Sequence, residues 1–144
     1  MKRKDIDLDI RRLDVKQFAM LGFPDEEVVS LVENIHASSD YKNRLIVVTV
    51  SAEYSYKKQK CLVIEVANYY TINEKCWNEI SKSNSIAVTL PKSFMSWLIE
   101  VSVNNTRGVL SAKTEHTKFD KFILPLIAPG AIRAKALTIK NSMQ

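Results

Sequence analysis

Residues 44–72, RLIVVTVSAEYSYKKQKCLVIEVANYYTI, decide the fold of this chain. Leu45 to Val50 and Cys61 to Ala67 are almost continuously apolar and rich in β-branched side chains, which is typical of strands covered on both faces. The polar segment between them, YSYKKQK, suits a hairpin connection. We therefore predict that these two strands form the centre of an antiparallel sheet.

The residues after this hairpin predict a helix. In TINEKCWNEIS, Thr71 and Glu74 have the spacing of a capping box, in which each side chain satisfies a backbone N–H of the first turn. Its inner face would then consist of Cys76, Trp77 and Ile80.

The stretch NSIAVTLPKSFMSWLIEV, residues 84–101, predicts a strand, a proline and a second helix. Apolar and polar residues alternate from Ile86 to Leu90, and Pro91 ends the strand because it has no N–H to donate. From Lys92 onward the apolar spacing is helical. The buried stripe of that helix would be Phe94, Trp97, Leu98 and Val101. Farther on, NNTRG predicts a turn, VLSAKTE a strand, KFDKFILPLI a helix shortened by its proline, and the last residues a tail or short final element.

Residues 1–40 predict a helical segment packed on the sheet. DIDLDI alternates like a strand exposed on one side, and a short helix around Phe18 would end at Gly22. Pro24 suits the start of a second helix. The buried stripe of this second helix would be Val28, Leu31, Val32 and Ile35.

These elements predict an α+β fold, with an antiparallel sheet of four or five strands and helices packed on one face. The length of 144 residues fits one domain spanning residues 1–144. The apolar runs are far shorter than a membrane span needs, and MKRKDIDLDIRR lacks the apolar core of a secretory signal. We therefore expect a cytoplasmic protein with no membrane partner, whose two cysteines, Cys61 and Cys76, are free thiols.

Catalytic motifs are absent from the sequence. His36 and His116 lie in different predicted elements, and no phosphate-binding loop, nucleophile elbow or HExxH motif occurs. A metal site of cysteines and histidines would need residues from distant elements to meet. We therefore predict no catalytic residues, no metal, no cofactor and no enzymatic activity.

The segment IAVTLPKSFMSWLIEV resembles the first half of a ribbon-helix-helix DNA-binding protein, whose strand would read base edges in the major groove. Two features depart from that family. The outward residues Ser85, Ala87 and Thr89 include no side chain that binds a base bidentately, and the next segment has no second apolar stripe. FAMLGFPDEEVVSLVENI is loosely similar to the helix–glycine–helix of UBA-type modules. We prefer a sheet strand with a packed helix for the first stretch and a helical hairpin for the second.

Charge favours a polyanionic partner. Residues 1–72 contain 11 Lys/Arg and 11 Asp/Glu, whereas residues 73–144 contain 10 and 5, which accounts for the whole net charge of +5. Lys57, Lys58 and Lys60 would crowd the hairpin tip beside two tyrosines, an arrangement suited to phosphate contact and base stacking. The candidate nucleic-acid-binding residues are Lys57, Lys58, Lys60, Arg107, Lys113, Lys118 and Lys121.

Two functions remain open from the sequence. The first is a basic, nucleic-acid-associated regulator without enzymatic activity, in which DNA or RNA contacts the lysines. The alternative is an inhibitor, adaptor or immunity-type factor that acts on one protein partner, and a homodimer is compatible with either. An acidic patch would favour this alternative, and it would be built from Asp5, Asp7, Asp9, Asp25 and Glu26.

Overall fold

Four antiparallel strands form the main sheet in a computed structural model that describes residues 7–22, 29–81, 87–125 and 137–140. The strands are β1 (Leu8–Met20), β2 (Ser30–Asp40), β3 (Leu45–Tyr56) and β4 (Gln59–Ile72). Their order across the sheet is β1-β4-β3-β2. The predicted hairpin is therefore the central pair, and each of its strands is covered by a neighbour on both sides. The pair has buried side chains on both faces, such as Val48 and Tyr70 on one and Val47 and Tyr69 on the other, which accounts for its nearly continuous apolar runs.

Two helices and a small second sheet complete the described part of the chain, which confirms the predicted α+β class. They are α1 (Glu74–Ser81), β5 (Ala87–Leu90), α2 (Lys92–Thr114) and β6 (Leu137–Lys140), and a 3-10 turn spans Lys118–Lys121. β5 and β6 pair with each other in an antiparallel arrangement. The predicted start of β5 at Ile86 lies outside the described residues.

The core lies between α2 and one face of the sheet, which we call the helix-bearing face. Ile46 and Val48 of β3 and Tyr70 of β4 pack there with Phe94 and Leu98 of α2. All five are almost completely buried. α1 adds its own buried face, which consists of Cys76, Trp77 and Ile80 as predicted. Its cap differs from the prediction, because the side chain of Asn73 accepts the backbone N–H of Cys76 at 2.8 Å.

The predicted N-terminal helical segment is wrong, since residues 8–20 and 30–40 are strands. In β1, two bulges leave Arg11 and Lys16 without a pairing residue on β4. Each bulge adds one residue, so the apolar positions recur at intervals of two and three, and the three-residue interval from Val15 to Phe18 coincides with helical spacing. In β2 the supposed stripe divides between the faces, because Leu31 and Ile35 lie opposite Tyr54 and Val50 whereas Val32 lies opposite Glu53. The predicted helix start at Pro24 lies outside the described residues.

The C-terminal predictions also need correction. α2 continues without interruption through the predicted turn at residues 104–108 and the predicted strand after it. Gly108 is tolerated in the helix interior because it lies on the exposed side, while Leu110 returns to the core and is fully buried. In the described part of KFDKFILPLI the predicted helix is only the four-residue 3-10 turn, where the hydroxyl of Thr117 accepts the backbone N–H of Phe119.

Candidate functional site

β1 carries a continuous row of apolar side chains on the helix-bearing face, which we call the apolar row. Its members are Leu8, Ile10, Leu13, Val15, Phe18 and Met20. They lie opposite β4 residues of that face, such as Ile72 for Leu8 and Ile64 for Phe18. α2 does not cover the row, so the side chains of Ile10 and Leu13 remain 49% and 39% exposed. An edge strand therefore presents to solvent the kind of surface that a core strand buries.

Exposed large apolar side chains have a restricted distribution in the described residues. They occur in and directly after β1, in β2, and at Ile123 beyond the 3-10 turn. Helices α1 and α2 and the central strands β3 and β4 contribute none. Single exposed apolar residues are normal on protein surfaces, but several consecutive ones on the same edge strand indicate an interaction surface.

A groove with a cavity volume of about 450 Å³ lies between the start of the apolar row and the first half of α2. The cavity is lined by Leu8, Asp9, Ile10, Tyr70, Trp97, Leu98 and Val101. Trp97 is half-buried in its wall, 5.9 Å from the ring of Phe94, and is not the core residue that the helical stripe predicted. We call this feature the β1–α2 groove, and its lining is mainly apolar, with Asp9 as the one charged residue.

Two buried hydrogen bonds fix α2 above the groove. The hydroxyl of Tyr70 on β4 lies 2.6 Å from the hydroxyl of Ser102 on α2, and both residues are buried. Burial raises the pKa of Tyr70, and the hydrogen bond to Ser102 partly opposes that rise. The side chain of Asn105 donates to the side-chain oxygen of Asn68 at 3.1 Å. These bonds join α2 to β4.

A second cavity, of about 360 Å³, lies at the opposite edge of the sheet. It is lined by Val29, Tyr54, Lys121, Phe122 and Ile123. The ring of Tyr54 stacks on Phe122 with centroids 5.0 Å apart. Its hydroxyl is buried and has no hydrogen-bond partner among the described residues. Burial, and to a smaller extent the charge of Glu33, raises the pKa of Tyr54 to about 12, so the hydroxyl remains a donor at neutral pH.

Among the predicted nucleic-acid-binding residues, Arg107 forms hydrogen bonds within the chain through all three of its side-chain nitrogens. Its Nε donates to the carbonyl of Leu124 at 2.7 Å, and one terminal nitrogen donates to the carbonyl of Pro125 at 2.6 Å. The other terminal nitrogen donates to the side chain of Asn104 at 2.6 Å. This guanidinium ties the segment after the 3-10 turn to α2, which leaves few donors for a phosphate.

The predicted lysines gather at one end of the sheet, because the stacking of Tyr54 on Phe122 joins the β3–β4 hairpin to the segment after α2. Several of them have partners inside the molecule. Lys60 pairs with Glu53 at 3.2 Å, Lys57 lies 5.4 Å from the ring of Tyr56, and Lys113 lies 5.9 Å from the ring of Phe18. Lys58 is exposed at the hairpin tip, and Lys118 and Lys121 are exposed in the 3-10 turn.

The predicted acidic patch is described only in part, because Asp5, Asp25 and Glu26 lie outside the described residues. Asp7 accepts a hydrogen bond from the side chain of Asn73 at 3.2 Å. Within the described ranges, no three His, Cys, Asp or Glu side chains are grouped as a metal ion would require. No helix in those ranges is long and apolar enough to cross a membrane. The absence of enzymatic activity and of a cofactor stays a prediction.

Comparison with solved structures finds a protein of similar fold. No protein-family model matches the chain, and no curated protein matches it in sequence. The fold is similar to that of the Mycobacterium tuberculosis SecB-like chaperone solved with a ChAD peptide from the HigA1 antitoxin. That match has a TM-score of 0.55 and 9% identity, and it covers 84% of this chain and 88% of the chaperone. A Streptococcus agalactiae protein of unknown function matches with a TM-score of 0.44 and 9% identity over 85% of this chain and 98% of that one.

Sequence reasoning missed the apolar row and the β1–α2 groove. The signal that could have found them is the spacing of apolar residues from Leu8 to Met20, which alternates between two and three. A helix needs intervals of three and four, whereas a strand with two bulges produces intervals of two and three. The basic residues at Arg11 and Lys16, one in each longer interval, mark the bulge positions.

Proposed function

We propose that this protein binds extended, apolar segments of other polypeptide chains in the β1–α2 groove. The observation that carries the proposal is the apolar row, which is held open to solvent beside a helix wall that contains Trp97 and Val101. An extended segment can bury alternate apolar side chains along a strand and leave its polar side chains in water.

The geometry of the row supports a polypeptide ligand better than a small molecule. β1 has 13 residues, which extend over roughly 40 Å at about 3.3 Å per residue. Such a length suits a chain of about a dozen residues, whereas a compact ligand would occupy only the cavity at one end. The similarity of the fold to a SecB-like chaperone solved with an antitoxin peptide points in the same direction, although it concerns the fold alone.

A binding titration tests the proposal. The probe is labelled pancreatic ribonuclease that has been reduced and carboxymethylated, since it cannot refold and exposes its apolar segments. We expect this chain to bind the carboxymethylated ribonuclease. It should not bind native ribonuclease, whose apolar segments are buried in a folded core. Replacing Leu13 and Val15 together by Ser should weaken binding by about tenfold, because burial of two partly exposed apolar side chains is lost.

Two control variants separate the groove from the rest of β1. Gln17→Ser changes an exposed residue on the opposite face, as its pairing with Glu65 indicates, and should leave affinity unchanged. Val15→Ile retains an apolar side chain in the row and should also bind. Equal affinity of the Leu13→Ser/Val15→Ser variant and the wild type, with both folded by circular dichroism, would contradict the proposal.

A second candidate function is binding of a nucleic acid at the hairpin end of the sheet. The observation that favours it is the gathering of lysines from both halves of the chain at that end, including Lys58 and Lys118. The involvement of Arg107 and Lys60 in bonds within the molecule weighs against a large phosphate-binding surface. Protein binding is therefore the function we favour.

A further inference from the structure

The two edges of the sheet differ in how they are protected against pairing with another strand. β1 has two bulges and places Arg11 and Lys16 at them. Bulges and basic side chains are the usual means by which an edge strand avoids adding a foreign strand. β2 pairs with β3 at every position from Ser30 to Asp40 without a register shift, so it is regular on its outer side as well.

The outer edge of β2 has none of these protective features. SLVENIHASSD contains no lysine, arginine or proline, and Glu33 is the one charged residue in its exposed half. Val32, Glu33, Asn34, Ile35 and His36 are all exposed. In the described part of the chain, no backbone hydrogen bond from outside the sheet reaches residues 31–36. A regular and exposed edge with a single charged side chain is a template for strand addition.

We propose that the edge of β2 at residues 31–36 accepts an extended segment of the bound protein as a fifth strand, in which a basic residue faces Glu33 between two apolar residues. This inference rests on the proposed function and adds a second contact to the groove. Backbone hydrogen bonds supply the affinity of strand addition, and the facing side chains supply the selectivity.

The side-chain pattern follows from the register of β2. Leu31, Glu33 and Ile35 lie opposite Tyr54, Ala52 and Val50, so all three are on the helix-bearing face. In an added strand, directly opposed residues share a face and contact each other. Apolar residues therefore suit the positions facing Leu31 and Ile35. A lysine or arginine suits the position facing Glu33, because no described basic residue forms an ion pair with that carboxylate.

The cavity beside Tyr54 lies at the start of this edge. Val29, which directly precedes β2, lines it together with Phe122 and Ile123. The buried hydroxyl of Tyr54 has no acceptor among the described residues, and leaving such a donor unsatisfied costs free energy. A residue of the added strand near Leu31 can place an apolar side chain in this cavity, and an oxygen of the segment can accept the hydrogen bond.

Peptide titrations with the full chain test the inference. The probe is the labelled peptide STITKTITS, and the control peptide STITETITS has glutamate at the centre. We expect the wild-type chain to bind the lysine peptide about three- to fivefold more tightly, which is the size of a cross-strand charge pair. In Glu33→Lys the preference should reverse, because the charge at the facing position is then inverted. Equal affinity for both peptides in wild type and variant would overturn the inference.

N-methylated peptides test for strand addition itself. In an added strand only alternate amides donate to β2, so methylating one alternate set of amides should abolish binding and methylating the other should not. Loss with both sets or with neither set overturns strand addition. A different result is that the peptides do not bind this edge and the chain dimerises, with the dimer lost in Asn34→Pro. The β2 edge then pairs with a second copy of the chain, and the inference is wrong.

The unfolded ribonuclease titration separates this inference from the proposed function. If Leu13→Ser/Val15→Ser loses ribonuclease binding while the affinities for the two peptides do not depend on residue 33, the groove is supported as a binding site and the β2 edge is rejected. Failure of the wild-type chain to bind unfolded ribonuclease would reject the proposed function, whereas charge-dependent peptide binding would still identify the β2 edge as a site.

Discussion

Asn105 on α2 donates a hydrogen bond at 3.1 Å to the side-chain oxygen of Asn68, a residue on β4 with no solvent exposure. The amide nitrogen of Asn68 in turn donates to the carbonyl of Val48 at 3.1 Å. An amide buried among apolar residues is tolerated only when its groups are paired in this way. The pair therefore links the helix to the sheet at one defined position along the wall of the β1–α2 groove.

Asn105→Ala should destabilise the protein by about 1–2 kcal/mol, because the buried oxygen of Asn68 loses its donor. The measurement is urea unfolding followed by circular dichroism. Asn104→Ala is the matched control, since Asn104 is exposed and bonds only to the guanidinium of Arg107. It should cost less than about 0.5 kcal/mol. Equal losses for the two variants would show that the buried pair has no special contribution.

The hairpin should become more stable when its two turn residues are replaced. Lys57 and Lys58 have φ angles of 48° and 66°, a left-handed conformation that favours asparagine and glycine. Lys57→Asn combined with Lys58→Gly should raise the free energy of unfolding by about 1–2 kcal/mol. Lys60→Asn, which lies outside the turn and only removes the exposed ion pair with Glu53, should give no gain. An unchanged or lower melting temperature in the double variant would contradict this expectation.

Tyr54→Phe should stabilise the protein at neutral pH by about 1 kcal/mol, because the variant removes a buried hydroxyl that has no partner among the described residues. The stacking on Phe122 is retained by the new ring. Chemical unfolding at pH 7 provides the measurement, and Tyr70→Phe is the control. The hydroxyl of Tyr70 is bonded to Ser102, so its removal should destabilise the protein. A loss of stability in Tyr54→Phe would indicate that its hydroxyl is satisfied.

The raised pKa of Tyr54 predicts that the protein loses stability at alkaline pH. The pKa of Tyr54 is raised to about 12 in the folded protein, above the ordinary value of 10.0. Above about pH 10 the unfolded state loses this proton while the folded state keeps it, so stability should fall as the pH rises from about 10 to 12. The contribution is at most about 2–3 kcal/mol. The contribution is measured as the difference in the free energy of unfolding between wild type and Tyr54→Phe at each pH. Identical pH profiles would show that Tyr54 does not have a raised pKa.

Trp97 should report on ligand binding, because it lines the groove, whereas Trp77 is on the buried face of α1. Carboxymethylated ribonuclease contains no tryptophan, so any change in tryptophan emission on mixing comes from this chain. Trp97→Phe should abolish the change and Trp77→Phe should preserve it. A change that disappears only with Trp77→Phe would place the ligand elsewhere.

Any binding of DNA or RNA should be weak and strongly dependent on salt. Each phosphate contacted by a lysine adds about 0.7–0.9 to the slope of log affinity against log salt concentration. Lys57→Ala combined with Lys58→Ala should flatten the slope by roughly 1.4–1.8 if both lysines touch phosphate. Lys60→Ala should change it less, because Lys60 already pairs with Glu53. Anisotropy titrations at several salt concentrations measure this, and an absence of binding at low salt would end the nucleic-acid hypothesis.

The central hairpin and both helices could be predicted from the sequence, because their patterns are local and regular. β3 and β4 are buried on both faces, so unbroken apolar runs such as Leu45 to Val50 identified them. Pro91 marked the boundary between β5 and α2 for a steric reason that needs no tertiary context. The continuation of α2 past Gly108 could not be predicted, since the packing of Leu110 against the sheet overrides the low helix propensity of glycine.

The candidate site was harder to predict because it belongs to the edge strands. Helical spacing in residues 28–35 was accidental, since Leu31 and Ile35 face the helices while Val32 faces away. The two- and three-residue spacing in β1 is a local signal of bulges, but it does not identify β4 as the strand with which β1 pairs. Nucleic-acid binding by the basic residues stays a prediction, and the bonds of Arg107 to Leu124 and Pro125 arise only from the tertiary fold.

The two bulges of β1 have a consequence for the solubility of the protein in a crowded cell. Removing Arg11 and Lys16 would leave LDIRLDVQFAM, in which apolar and other residues alternate without a break. Such a segment could still present an apolar face to a ligand. It would also be flat and poorer in charge, which is the composition that promotes stacking of identical strands into fibrils. A two-residue deletion would therefore leave the apolar row in place and make this edge prone to self-association.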